Sequence, residues 1–330
     1  VSLGGVVAQA LARRAPLLTA LNAEGTDCVR LVHGIAEGAP GLAVDRYGPV
    51  LLVQTWRAPL LAAELDAVVR AVDAVVPGLT PVWNHRGEGE GGGGTPPAAP
   101  IGRELGLAYD VRPRHRGQDP LLFLDFRAAR RWVKAHAAGR EVLNLFAYTC
   151  GIGVAAAAGG ASCVVNVDFA RSALEVGRAN AARSGVPTER FETLHGDALV
   201  VARQLAGLPA QGRRGQKPPA PLAARSFDLV VLDPPRWAKS AFGAVDVVRD
   251  YPSLFKPALL ATRPGGVVLA ANHVPSVDKA AWYAVLRRTA EKAGRPLETI
   301  EDLPVEADFP SFDGAPPLKL AICRLGRPSA

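Results

Sequence analysis

The sequence contains no methionine and only four cysteines in 330 residues. Cys28, Cys150, Cys163 and Cys323 are scattered, with no C-x-x-C pair among them. That spacing argues against a zinc site or a disulfide framework and favours a reducing, cytoplasmic setting. With methionine absent, Val1 is expected to follow a removed or alternative start. The scattered cysteines give no reason to expect a metal, and with no apolar run long enough to span a bilayer and no signal-peptide pattern, no membrane partner is expected. What is present is ample apolar material, 48% of the chain, and a length that suggests two domains. The net charge of +7 draws mildly toward a polyanion.

Residues 228–237, DLVVLDPPRW, form an apolar strand stopped by Asp233-Pro234-Pro235. Neither proline can donate to a sheet ladder, so the strand ends in an acid and a rigid turn. In an open α/β sheet ligands bind at such carboxyl ends. Upstream, residues 141–168 read as strand, glycine turn, alanine-rich helix and second strand, closing on Asp168. Gly151 and Gly153 would let the backbone approach a ligand. Asp168 suits the two ribose hydroxyls of an adenosine. A nicotinamide dehydrogenase is the rival reading, but the turn lacks G-x-G-x-x-G, so a cofactor without a pyrophosphate fits better. S-adenosyl-L-methionine is the common one. Asp197 ends a third strand, placed for an adenine amino group. Any one strand-end acid is usually a turn former or helix cap. The series Asp168, Asp197, Asp233 is more specific.

Residues 143–153, LNLFAYTCGIG, resemble the L-N-L-F-S-Y-T-G-G-F turn of large-subunit (23S) ribosomal RNA methyltransferases that modify cytosine C5, with a sister group that modifies guanine N7. Phe123-Leu124-Asp125-Phe126-Arg127 resembles G-x-F-L-D-Q-R, and Glu104-Leu105-Gly106-Leu107 resembles E-N-G-L. Residues 40–48, PGLAVDRYG, match the accessory-domain motif, and Asp308-Phe309-Pro310 and Leu318-Lys319-Leu320 resemble D-H-P and Y-L-K-x-L. The resemblance implies an α/β, Rossmann-like class I methyltransferase fold with a mainly parallel seven-stranded sheet and a small N-terminal α/β accessory domain. It also implies S-adenosyl-L-methionine bound by Asp125, Arg127, Asn144, Phe146, Tyr148, Thr149, Gly151, Asp168, Asp197 and Asp233. Family members often begin with a PUA-type RNA-binding domain. The stretch before residue 28 is too short for one, so that grip is expected to be missing.

Three departures stand out. Cys150 replaces a glycine, tolerable if the backbone there is not left-handed. Phe126 replaces a glutamine. Residues 265–276, GGVVLAANHVPS, lack the S-C-S whose thiolate attacks cytosine C6. Without that attack C5 is a poor nucleophile. Ala271-Asn272-His273 is closer to the S-N-N of the guanine-N7 group, so a nitrogen acceptor on ribosomal RNA is expected. The catalytic candidates are Asp233, Pro234, Asn272 and His273. Trp237, which can stack on a base, and Lys239 join Arg112, Arg114 and Arg116 as RNA-contact candidates. Arg213, Arg214 and Lys217 add charge in a Pro/Gly-rich insertion. The alternatives are a cytosine-C5 enzyme with another activation, a small-molecule methyltransferase derived from this family, and a catalytically silent RNA- or cofactor-binding protein. A homodimer is left open.

The expected organisation is an accessory domain over 1–118, with a flexible loop at 86–100 and a hairpin over 101–118, then a catalytic domain over 119–330.

Overall fold

The computed structural model describes residues 2–87, 91–113, 120–209, 220–240 and 243–327, without the side chains of 237–240 and 243–245. Arg114, Arg116, Arg213, Arg214 and Lys217 lie outside the described residues. The chain forms two units, Val1–Arg127 with Glu306–Pro316, and Ala128–Val305 with Pro317–Ala330. The first unit therefore runs past the expected boundary at residue 118 and takes back a late segment that holds Asp308-Phe309-Pro310.

Unit 1 opens with α1 (Leu3–Ala23), then β1 (Cys28–Val32), β2 (Leu42–Tyr47), β3 (Val50–Thr55), α2 (Ala62–Asp73), β4 (Thr80–His85) and β5 (Gly91–Gly93). The five strands form one sheet in chain order. β3 and β4 are parallel, a pairing that needs a crossover, and α2 supplies it. Val7, Leu11, Val68 and Val72 of the two helices close over Val29, Leu31, Val44, Leu51 and Val53. The glycine tract expected as loop is partly an edge strand. A Cβ on Gly93 would come within 1.9 Å of the Trp83 ring, so only glycine lets that edge pair with β4. The expected hairpin is β6 (Ile101–Glu104) and β7 (Leu107–Asp110). Its turn holds Leu105 and Gly106 at φ 55° and 77°, as a two-residue I′ turn demands.

Arg127 is the last residue of the first segment of unit 1 and fully buried. Its guanidinium donates to both carboxylate oxygens of Asp308, at 3.1 and 2.9 Å, to Glu104 at 3.3 Å and to the Cys28 carbonyl at 2.7 Å. Burial alone would favour losing its proton, but Asp308 and Glu104 outweigh that and hold the charge. Asp308 also accepts the Arg30 amide, and Phe309 lies under the Arg30 guanidinium at 4.5 Å. The late segment is thus part of this unit's interior.

Unit 2 continues with α3 (Arg127–His136, its first residue in unit 1), β8 (Glu141–Leu145), α4 (Gly151–Ala158), β9 (Cys163–Asp168), α5 (Arg171–Arg183), β10 (Phe191–His195) and α6 (Ala198–Leu205). Then come β11 (Phe227–Leu232), the hairpin β12 (Trp237–Ser240) and β13 (Gly243–Asp246), α7 (Tyr251–Leu260), β14 (Thr262–Asn272), α8 (Lys279–Lys292), β15 (Leu297–Asp302) and β16 (Lys319–Leu325). The seven-stranded sheet runs β10-β9-β8-β11-β14-β16-β15. Only β16 runs against its neighbours. Alternate residues Leu143, Leu145, Val165, Val167, Val230 and Leu232 bury one face under α6, α7 and α8. This is the Rossmann-like class I methyltransferase architecture with an accessory domain. Strand order reverses between β8 and β11, which puts the ligand crevice at their carboxyl ends. No helix among the described residues is long and apolar enough to cross a membrane.

Candidate active site

The turn after β8 is built on strained backbone. Phe146, Tyr148 and Cys150 all hold left-handed φ values, 62°, 49° and 60°. For residues with a Cβ this costs on the order of 1–2 kcal/mol each, and such strain concentrates at functional sites. It persists because partners hold the turn. The Tyr148 amide donates to Asp168 Oδ2 at 2.8 Å, and the Ala147 amide to the Val167 carbonyl at 2.9 Å. Asp168 thus ties the turn to the end of β9, and its Oδ1 accepts the Ala170 amide at 2.8 Å.

Cys150 departs from expectation, because its backbone is left-handed after all. What admits its side chain is Gly177 on α5, where an added Cβ would lie 2.4 Å from Cys150 Sγ. Burial, with Asp168 nearby, pushes the Cys150 thiol well above its ordinary range. We expect Gly177→Ala to destabilise by about 1–3 kcal/mol through overpacking. Adding Cys150→Gly should recover most of that loss. A double-mutant cycle by urea denaturation measures the coupling, and strictly additive effects would refute this packing account.

Gly153 serves a different end from the one expected. A Cβ there would meet Asn166 Oδ1 at 2.0 Å, so the glycine makes room for a buried asparagine rather than for a ligand. Asn166 accepts from Asn144 Nδ2 at 2.9 Å and donates to the Glu192 carbonyl at 3.2 Å. Asn144, expected at the cofactor, is 2% exposed and spends its amide linking β8 to β9. Arg127, also expected there, is committed inside unit 1. Buried donors must be partnered, and both side chains find their partners within the protein. Asp125 lies half-buried in unit 1, Thr149 is buried beside the turn, and Gly151 opens α4.

Asp197 caps α6, its Oδ1 accepting the Leu199 and Val200 amides at 2.9 and 3.3 Å. It follows β10, whose His195 pairs in register with Asp168. Directly after Asp168 stands Phe169, 70% exposed. Sequence reasoning passed over it. An exposed aromatic directly after a strand-end acid was the available signal. Acceptors for hydroxyls and an amine, flanking an open apolar ring, suit an adenosine.

Across the switch point, Asp233 follows β11 and His273 follows β14. His273 Nε2 donates to Asp233 Oδ1 at 2.6 Å, with both side chains partly exposed at 34% and 24%. Asn272 is 1% exposed; its Oδ1 accepts the Val274 amide at 2.9 Å, while its Nδ2 is buried with no partner among the described residues. Lys319, opposite Asn272 on β16, donates to the carbonyls of Val274 and Pro317, each at 2.8 Å. Burial lowers its pKa. This is a role for the Leu318-Lys319-Leu320 motif that the sequence did not reveal. The DPP turn leads into the β12–β13 hairpin, which was not expected; Trp237 and Lys239 lie in β12 with their side chains outside the description. Arg112 belongs to unit 1, exposed and paired with Asp110 at 2.9 Å.

Comparison with known proteins places the chain in a family. A family model for S-adenosylmethionine-dependent methyltransferases matches residues 101–324. Ribosomal RNA large subunit methyltransferase I of Photobacterium profundum is 30% identical over 305 residues, covering 89% of this chain and 72% of its own. A ribosomal RNA large subunit methyltransferase of Deinococcus radiodurans is 31% identical over 303 residues, covering 87% and 69%. A Streptococcus mutans structure shares the fold with a TM-score of 0.78 at 21% identity, covering 98% of this chain and 82% of that one. A SAM-dependent methyltransferase from Agrobacterium tumefaciens gives 0.62 at 18% identity, with 88% of each chain covered. The chain belongs to the large-subunit ribosomal RNA methyltransferase family and is an enzyme that uses S-adenosyl-L-methionine.

Proposed function

We propose that this enzyme methylates a nitrogen of a base in large-subunit ribosomal RNA. The observation that carries the choice of nitrogen is the lack of a usable thiolate. The β14 strand end holds Asn272-His273 and no cysteine, while Cys28, Cys150 and Cys323 are buried elsewhere in the fold. Without a thiolate at that strand end, cytosine C6 lacks its attacking group. The ribosomal substrate is supported by the names of the relatives and by the net charge of +7.

In this reading Asp168 takes the ribose hydroxyls, Asp197 the adenine edge, and Phe169 packs on the adenine face. The turn over Phe146, Tyr148 and Thr149 lies against the rest of the methyl donor, which supplies an activated methyl group. The protein then contributes alignment and exclusion of water. Mass spectrometry of nucleosides from ribosomal RNA, with and without the gene, tests the proposal. One N-methylated base is expected to vanish from the large-subunit RNA of the deletion strain. An unchanged ribosomal profile would sink it.

A further inference from the structure

We infer that Asp233 and His273 select an acceptor that carries a proton, an exocyclic amine of a nucleobase, rather than a bare ring nitrogen or a ring carbon. This rests on the nitrogen reading above and narrows it. Asp233 presents a carboxylate, and Pro234 and Pro235 present carbonyls with no N–H, so the turn after β11 offers mainly acceptors. A ring nitrogen such as guanine N7 brings a lone pair of its own, next to a carbonyl oxygen. Facing the carboxylate, it would meet acceptor with acceptor and leave buried polar groups unpaired. An amine brings two N–H donors and matches the turn.

The structure also holds the carboxylate in place. An ionised carboxylate only accepts, so the 2.6 Å contact assigns the proton to His273 Nε2 and takes one side of Asp233 Oδ1. The carboxylate retains lone pairs for a substrate, and the side chain stays 24% exposed. His273 is fixed in turn by its neighbour in the chain. The Val274 amide is held by Asn272 and its carbonyl by Lys319, so the backbone beside the imidazole is pinned at both polar groups. Asn272 Nδ2, one residue before His273, is buried with no partner among the described residues, an unspent donor at this strand end.

The step balances without a further reactant. An amine N–H donates to Asp233, which draws its lone pair out of conjugation. That pair forms the N–C bond to the methyl carbon, the S–C bond breaks, and its electrons return to sulfur. The amine proton passes to the Asp233 carboxylate and leaves to solvent. Asp233 is the catalytic residue here, and His273 is a positioning residue that acts through it.

The test uses the full chain, S-adenosyl-L-methionine, and large-subunit RNA purified from cells lacking the gene. Nucleoside mass spectrometry should identify an exocyclic N-methyl product. His273→Leu should lower kcat by about 100-fold, the cost of a misplaced catalytic group, while the RNA KM and calorimetric cofactor affinity hold within about twofold. His273→Gln, which keeps an amide donor, should recover at least a tenth of the wild-type kcat. A 7-methylguanosine or 5-methylcytidine product would overturn the inference, as would unchanged kcat in His273→Leu or no rescue by glutamine. Cofactor binding with no transfer to any RNA would instead remove the ribosomal reading, and this inference with it.

Discussion

Replacing Arg127 with alanine is expected to destabilise unit 1 by about 3–5 kcal/mol, and Asp308→Ala by a similar amount. Each change strips one side from a fully buried pair joined by two hydrogen bonds at 3.1 and 2.9 Å. The charge left behind has no water to turn to. After Arg127→Ala, Asp308 and Glu104 would face each other as buried anions; after Asp308→Ala, the guanidinium would keep only Glu104, Glu306 at 3.9 Å and a carbonyl. Domains are stable by only about 5–15 kcal/mol in total, so either variant should shift the urea midpoint far and express poorly. The double change Arg127→Leu with Asp308→Leu should cost less than either single change, since no orphaned charge remains. Losses below about 1 kcal/mol in both single variants would show that the pair is not buried in solution.

Asp168→Ala is expected to weaken S-adenosyl-L-methionine binding by at least 100-fold. Two hydroxyl bonds to a carboxylate are worth about 1.5–3 kcal/mol each, and every 1.4 kcal/mol is tenfold in Kd. The variant also releases the Tyr148 amide, so the strained turn should relax and the effect should exceed the bonds alone. Asp168→Asn separates these contributions. It keeps one acceptor oxygen for a backbone amide but loses the charge, and should fall between the two. Titration calorimetry reads the affinity, and thermal unfolding without cofactor shows whether the fold survives. Affinity within threefold of wild type in Asp168→Ala would refute the ribose assignment.

The parallel sheet and the three strand-end acids were legible because they rest on local signals: β-prone runs, a glycine turn, and acids at fixed points after strands. The reason for Gly153 was not legible. Its need comes from Asn166 on the neighbouring strand, and no local pattern announces a cross-strand asparagine. The Arg127 ion pair was hidden for a similar reason. The motif places Arg127 beside Asp125, but its partner Asp308 lies far down the chain. The β5 edge strand was hidden because four consecutive glycines read as a linker until Trp83 is known to lie beneath them. The Asp233–His273 contact was foreshadowed, since both residues were singled out at neighbouring strand ends. Their hydrogen bond needed the β11–β14 pairing to become visible.

The return of Glu306–Pro316 to the first unit also governs how the chain must be made. Arg127 and Asp308 are separated by 181 positions. At bacterial and eukaryotic synthesis rates the arginine waits roughly 10–40 s for its partner. During that interval the first 127 residues have Glu104 but lack Asp308, the anion that takes two of the arginine's hydrogen bonds. The part translated first is therefore among the last completed, exposed meanwhile to chaperones and proteases. A stop codon anywhere before residue 306 would remove more than a tail: it would leave the opening third of the protein unable to close.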